Sequence, residues 1–167
     1  MKTAKRRISI AELCLLSLLA ALMLASQVVF SFLPNIELVS LLVMLYTLLY
    51  RYKALYIIYV FVLLEGFLWG FGTWWFCYLY VWTILWGVTM LTAKIDSLLF
   101  RVVISGVFGM LFGAFTALVY LCIGGPAMAF SYWVSGIPFD ILHCAGNMAV
   151  TLVLFKPLYA LLKKIQR

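Results

Sequence analysis

The chain has 167 residues, of which 68% are hydrophobic and only 10% charged, whereas a soluble domain is closer to half apolar. No polar stretch is long enough to form a soluble domain, so the composition points to a single integral membrane domain. The net charge of +7 does not indicate nucleic acid, because the basic residues sit between long apolar segments and form no stripe.

About 20 mainly apolar residues are needed to span a hydrocarbon core about 30 Å thick, at about 1.5 Å of rise per residue. The first such segment, Ile8–Leu33, follows the basic tail Met1–Arg7. It is longer than the apolar region of a secretory signal, about 7–15 residues, and no small-x-small cleavage site follows it, so it reads as a retained helix. Glu12 in its first turns is expected to pair with the basic tail. Ser17, Ala21 and Ala25 repeat every four residues and form a small-residue face of the kind that lets helices approach closely.

Ile36–Tyr50 is a short second segment, expected to tilt or to start irregularly under a cover of protein. Ala54–Phe71 and Trp74–Leu91 follow as the third and fourth. The fifth, Leu98–Ile123, carries a second small-residue ladder at Ser105, Gly109, Gly113 and Ala117. Internal packing is the simplest use of both ladders, although two in so small a bundle suggest that one meets another protein. Gly124–Pro138, rich in Gly and Pro, is expected to be a structured loop or a short re-entrant piece. Phe139–Leu162 is the sixth segment. The predicted fold is therefore an all-α membrane protein, a bundle of six transmembrane helices.

The charges orient that bundle. Lys2, Lys5, Arg6 and Arg7 precede the first helix, Arg51 and Lys53 join the second to the third, and Lys94 and Arg101 flank the next turn on that side. Lys156, Lys163, Lys164 and Arg167 close the chain, and these are all twelve Lys and Arg. With six spans all of them fall on one side, which the positive-inside rule makes the cytoplasm, so both termini are expected there, in the plasma membrane. The three opposite connections carry Gly, Pro, Asn and aromatic residues instead.

Acids inside an apolar segment cost several kcal/mol and normally face the bundle interior. Glu65, about two turns below the outer end of the third helix, is the clearest case, with Trp69 one turn further on the same face. It is either a structural acid bonded to a neighbouring helix or a site residue, and the second reading is preferred. Asp140, His143 and Asn147 form one polar stripe on the sixth helix, suited to binding and less well to a proton relay. Pro138 and Asp140 suit the start of that helix. Asn35 and Glu37, beside Pro34, serve either as turn and helix-start residues or as site lining. Trp69, Trp74, Tyr78 and Trp82 follow one another at steps of four or five residues, so a subset is expected to face inward. Trp69, Trp74 and Tyr78 are taken as site lining, and most of the other aromatic residues nearby read as an interfacial belt. Tyr132 and Trp133 in the expected loop are candidates for a lid. Acids, one His and aromatic faces together fit a ring-containing solute with amino or hydroxyl groups.

Several chemistries have no residues to support them. The chain contains no GxxxxGK[ST], HExxH or GxSxG pattern, so ATP hydrolysis through a P-loop, zinc proteolysis and serine hydrolysis are not expected. Cys14, Cys77, Cys122 and Cys144 lie in apolar stretches without ligand spacing and read as free thiols. No metal or cofactor is predicted.

Topology and motif order resemble the substrate-binding S components of energy-coupling factor (ECF) transporters. Ala21–Ala25 resembles the AxxxA face by which the first helix of these subunits docks on a membrane coupling subunit. Pro34–Asn35–Ile36–Glu37 resembles the family's run before helix two, with Leu38 where a Pro is often found. Pro138–Phe139–Asp140, followed by His143, is similar to the Pro-Phe-Asn-x-x-Lys opening of helix six, with Asp for Asn and His for Lys. The resemblance implies an importer subunit, not an enzyme, that binds a vitamin-like solute in its outer half. It would be embedded in lipid and work with a transmembrane coupling subunit and two cytoplasmic ATPases. An intramembrane enzyme using Glu65, Asp140 and His143, or a membrane scaffold, are the alternatives.

Overall fold

A computed structural model describes residues 8–33 and 35–166. Among these, the chain forms five α-helices and one 3-10 turn: α1 (Ile10–Phe30), α2 (Val39–Tyr50), the turn Arg51–Lys53, α3 (Ala54–Trp69), α4 (Thr73–Leu91) and α5 (Leu98–Ile165). Four helical stretches are long and apolar enough to cross a membrane: Ile10–Phe30, Val39–Trp69, Thr73–Leu91 and Leu98–Ile165. Large apolar side chains are exposed along all of them, as expected of helices whose outer surface meets lipid tails. The all-helical membrane character read from the sequence is thus present. The tail charges Lys2, Lys5, Arg6 and Arg7, together with Pro34 and Arg167, lie outside the described residues.

The core is organised around α2. Eleven of its twelve residues are buried, and it touches α1, α3, α4 and α5. At about 1.5 Å per residue it is only about 18 Å long, too short to cross the hydrocarbon alone. Its approach, 35–38, is irregular. Such backbone is tolerated at membrane depth only where protein covers it or it lines a cavity. Asn35 takes a left-handed φ of 57°, a conformation that Asn tolerates better than most residues.

Two of the four apolar stretches are not straight rods. After α2 the chain turns through Arg51–Lys53, and Glu37 before α2 and Glu65 near the end of α3 come to line one cavity. Glu12 of α1 forms an ion pair with Lys53 of this turn. In α5 the backbone leaves the helical region at Gly125 (φ 76°, ψ −172°), a conformation essentially reserved for glycine.

The arms of α5 on either side of Gly125 lie against each other. Ser105 Oγ is 2.8 Å from Thr151 Oγ1 and donates to the Asn147 carbonyl at 3.1 Å. The Gly113 N–H donates to Asp140 Oδ1 at 2.9 Å, and the rings of Tyr120 and Tyr132 stack with centroids 4.0 Å apart. Gly109 sits directly on the opposite arm, where a Cβ would come 2.9 Å from Cys144 N and the His143 carbonyl. The ladder Ser105–Gly109–Gly113 is therefore an internal packing face, with Ala117 buried beyond it.

The expected loop at Gly124–Pro138 is corrected by this structure. Helix continues on both sides of Gly125, and Pro138 lies inside it. The residues from 127 on are mostly apolar, and in lipid an intrahelical partner is the cheapest way to satisfy each backbone group. Asp140 is accordingly not in a first helical turn, and the reading of Pro138–Asp140 as a helix start does not hold.

Candidate functional site: a two-lobed cavity at the end of the bundle lacking basic residues

The ends of α1 and α3, the approach to α2 and the start of α4 surround a cavity of about 320 Å³, within the range of small-molecule sites, about 300–1,000 Å³. Asn35, Ile36 and Glu37 form one wall, and Glu65 and Trp69 of α3 another. Trp74, Tyr78 and Trp82 of α4, with Phe112 and His143 from the two arms of α5, complete it. The described Lys and Arg residues lie towards the opposite end, at the 3-10 turn, the α4–α5 connection and the two ends of α5.

The two acids of this cavity are held very differently. Glu37 accepts the Ser40 N–H at 2.9 Å and the Ser40 hydroxyl, acting as a cap for the first turn of α2, and His143 Nε2 lies 3.2 Å from its Oε1. Ser40 Oγ in turn accepts from Asn147 Nδ2 at 3.2 Å, which ties α2 to the hairpin of α5. Glu65 is more deeply buried, yet its Oε1 has no partner among the described residues. Trp82 Nε1, also buried, is likewise without a partner, although its ring packs against Phe61, Tyr78, Phe108 and Phe112. A buried polar atom left unpaired costs about 1–3 kcal/mol, and two such atoms on residues that line one cavity suit an occupant that pairs with them.

A second, adjoining cavity of about 410 Å³, the second lobe of the site, shares the wall residues Asn35, Trp74, Tyr78 and Phe112 with the first. It adds Cys77, Gly113, Thr116, Tyr132, Gly136, Phe139 and Asp140. Asp140 Oδ1 is fixed by the Gly113 N–H, whereas its buried Oδ2 has no partner.

Of the residues singled out from the sequence, Asn35, Glu37, Glu65, Trp69, Trp74, Tyr78 and His143 meet in the first lobe, and Tyr132 and Asp140 join the second. Tyr132 is not on a loop, because it lies in α5 and stacks on Tyr120. Trp133 is exposed and lines neither lobe. Asn147 lies deeper, buried between Ser40 and Ser105, and braces the site without lining it. Gln27 and Phe112 were missed, and Trp82, which shares the spacing of Trp74 and Tyr78, also lines the cavity although it is not among the residues predicted as site lining. Gln27 was detectable as the lone amide in an apolar helix, but nothing in sequence marks Phe112, which reaches the cavity only through the long-range packing of α5.

Ser17, Ala21 and Ala25 are exposed on α1. Ala21 and Ala25 border a nearly wholly apolar groove of about 470 Å³ between α1 and the last turns of α5, with Leu158, Leu161 and Leu162 on its far side. No group of three or more His, Cys, Asp or Glu suited to a metal occurs among the described residues.

Comparison with known proteins adds no relative. No family model matches the chain, and no curated protein or solved structure is significantly similar to it.

Proposed function

We propose that this chain is the solute-binding membrane subunit of an importer of the ECF type. In this reading the α2–α3 and α5 stretches each cross the bilayer twice, giving six spans with both termini in the cytoplasm and the cavity facing outward from the plasma membrane. The charge distribution supports that orientation, since the described Lys and Arg lie towards the end of the bundle away from the cavity and positive residues favour the cytoplasm.

The observation that carries the reading is the cavity itself: an aromatic and acidic pocket, built where an irregular backbone segment leads into a short buried helix. Discontinuous helices of this kind form the solute sites of many transporters. The exposed Ser17–Ala21–Ala25 face supports the second half of the proposal, docking on a transmembrane coupling subunit that is driven by two cytoplasmic ATPases. Its groove is apolar and open, and small residues allow a partner helix to approach closely. The chain itself acts as a binding subunit without catalytic residues.

Thermal stability of the purified protein against a panel of vitamins and related micronutrients tests this proposal. A solute that binds the folded state raises Tm by an amount set by its concentration relative to Kd. A stabilising solute whose effect is lost in Glu65→Gln, at unchanged basal Tm, is the expected result. A stabiliser indifferent to Glu65→Gln would remove the cavity from the binding reaction.

A further inference from the structure

The two lobes present a matched pair of unmet demands. Glu65 is 2% exposed and lines the first lobe, and Asp140 is 5% exposed and lines the second. Each retains one buried carboxyl oxygen without a partner, Oε1 and Oδ2 respectively. Neither lobe is lined by a Lys or Arg among the described residues. The wall common to both is largely aromatic, formed by Trp74, Tyr78 and Phe112 together with Asn35.

From this we infer that the solute is a flat, two-headed nitrogenous compound: an aromatic-sized ring bearing a donor or cationic nitrogen at each end, one directed to Glu65 and the other to Asp140. The inference rests on the solute-binding reading above and names the class of its ligand.

Charge and hydrogen bonding both favour this class. Hydrogen bonds to charged groups are the strong ones, and a cation facing an acid in a water-poor pocket is attracted far more than in water. Cations also bind well against aromatic faces. An anionic solute would meet three acids and no Lys or Arg, with His143 already engaged by Glu37. A one-headed amine would satisfy one acid and leave the other unpaired. The Gly113 N–H holds Asp140 Oδ1, so Oδ2 is the oxygen left for the ligand. In Asp140→Asn the amide oxygen keeps that bond, and the NH2 then presents donors where the ligand needs an acceptor.

Binding of benzylamine, para-xylylenediamine and phenylacetate to the purified full-length protein, followed by tryptophan fluorescence, tests the inference. The probes offer no acceptor to Trp82 Nε1, so the readout is the comparison between them. The diamine should bind about tenfold more tightly than the monoamine, and phenylacetate should not bind. Asp140→Asn should erase the diamine's advantage over benzylamine. Glu65→Gln should weaken both amines, and unchanged circular dichroism in each variant would exclude misfolding.

Equal affinity of the two amines, a diamine advantage that survives Asp140→Asn, failure of both amines to bind, or preferential binding of phenylacetate would each overturn the inference. Diamine selectivity in a protein that supports no uptake would leave the inference standing and remove the importer reading. Uptake of an anionic solute would do the reverse.

Discussion

The two small-residue ladders have the same sequence pattern and opposite fates. Ser105, Gly109 and Gly113 are consumed inside the molecule, where the second arm of α5 lies on them closely enough that Gly109 has no room for a Cβ. Ser17, Ala21 and Ala25 are exposed on α1, whose inward face is built instead from Leu16, Leu19, Ala20 and Met23. A four-residue repeat of small side chains therefore specifies a close helix contact without specifying the partner. Where the bundle already supplies a neighbour the contact is structural, and where it does not the face remains open.

The largest effect expected from breaking this contrast is in the closed ladder. Gly109→Val drives side-chain atoms into the backbone of His143 and Cys144, and overpacking of this kind costs about 3 kcal/mol or more when backbone must move. A large fall in Tm, or loss of the folded protein on size-exclusion chromatography, is expected. A normal Tm would mean that the two arms of α5 do not meet there.

An intermediate effect is expected at Glu37, which holds the first turn of α2 to α5. Glu37→Ala leaves the buried Ser40 N–H and His143 without their acceptor, at a cost of about 1–3 kcal/mol. Glu65→Gln, in the same cavity but without those bonds, should leave Tm unchanged. Thermal unfolding of the two variants side by side checks this, and equal losses would contradict the division of roles between the acids.

The smallest effect on stability is expected in the open ladder. Ala21→Leu adds apolar bulk to an exposed position, and surface substitutions of this kind usually stay within about 0.5 kcal/mol. Under the docking proposal its effect should appear in uptake by cells or vesicles that also contain a coupling module. Retained uptake in both Ala21→Leu and Ala25→Leu would remove the docking role.

Much of the fold was legible because lipid imposes simple rules. Long apolar segments had to be helices, and Glu37, Glu65, Asp140 and His143 stood out because polar groups in such segments are costly. The helix after Gly125 was less legible. Gly124, Gly125 and Pro126 have the composition of a loop, yet one residue in a glycine-only conformation makes the break and the chain resumes its helix. That misplacement led Tyr132 and Trp133 to be read as a lid, and Pro138 and Asp140 as a helix start. Asn147 was placed in the site by its periodicity with His143. Sequence spacing gives the face of a helix but not the depth at which a cavity ends. Phe112 was invisible for the complementary reason, and Trp82 was grouped by spacing with Trp74 and Tyr78 but not placed in the site, since aromatic residues in an apolar helix carry no sign of whether they meet lipid, core or ligand.

The central claim, that the cavity between α1, α3, α4 and α5 receives a solute independently of the open face on α1, is tested most directly by one titration. Trp69, Trp74 and Trp82 line the cavity, so tryptophan emission should report its occupation. The best stabilising solute would be titrated into the unaltered protein, Glu65→Gln and Ala21→Leu. The account predicts saturable binding with equal affinity in the unaltered protein and Ala21→Leu, and a loss of at least about tenfold in Glu65→Gln. Unchanged affinity in Glu65→Gln, or loss of binding in Ala21→Leu, would contradict it.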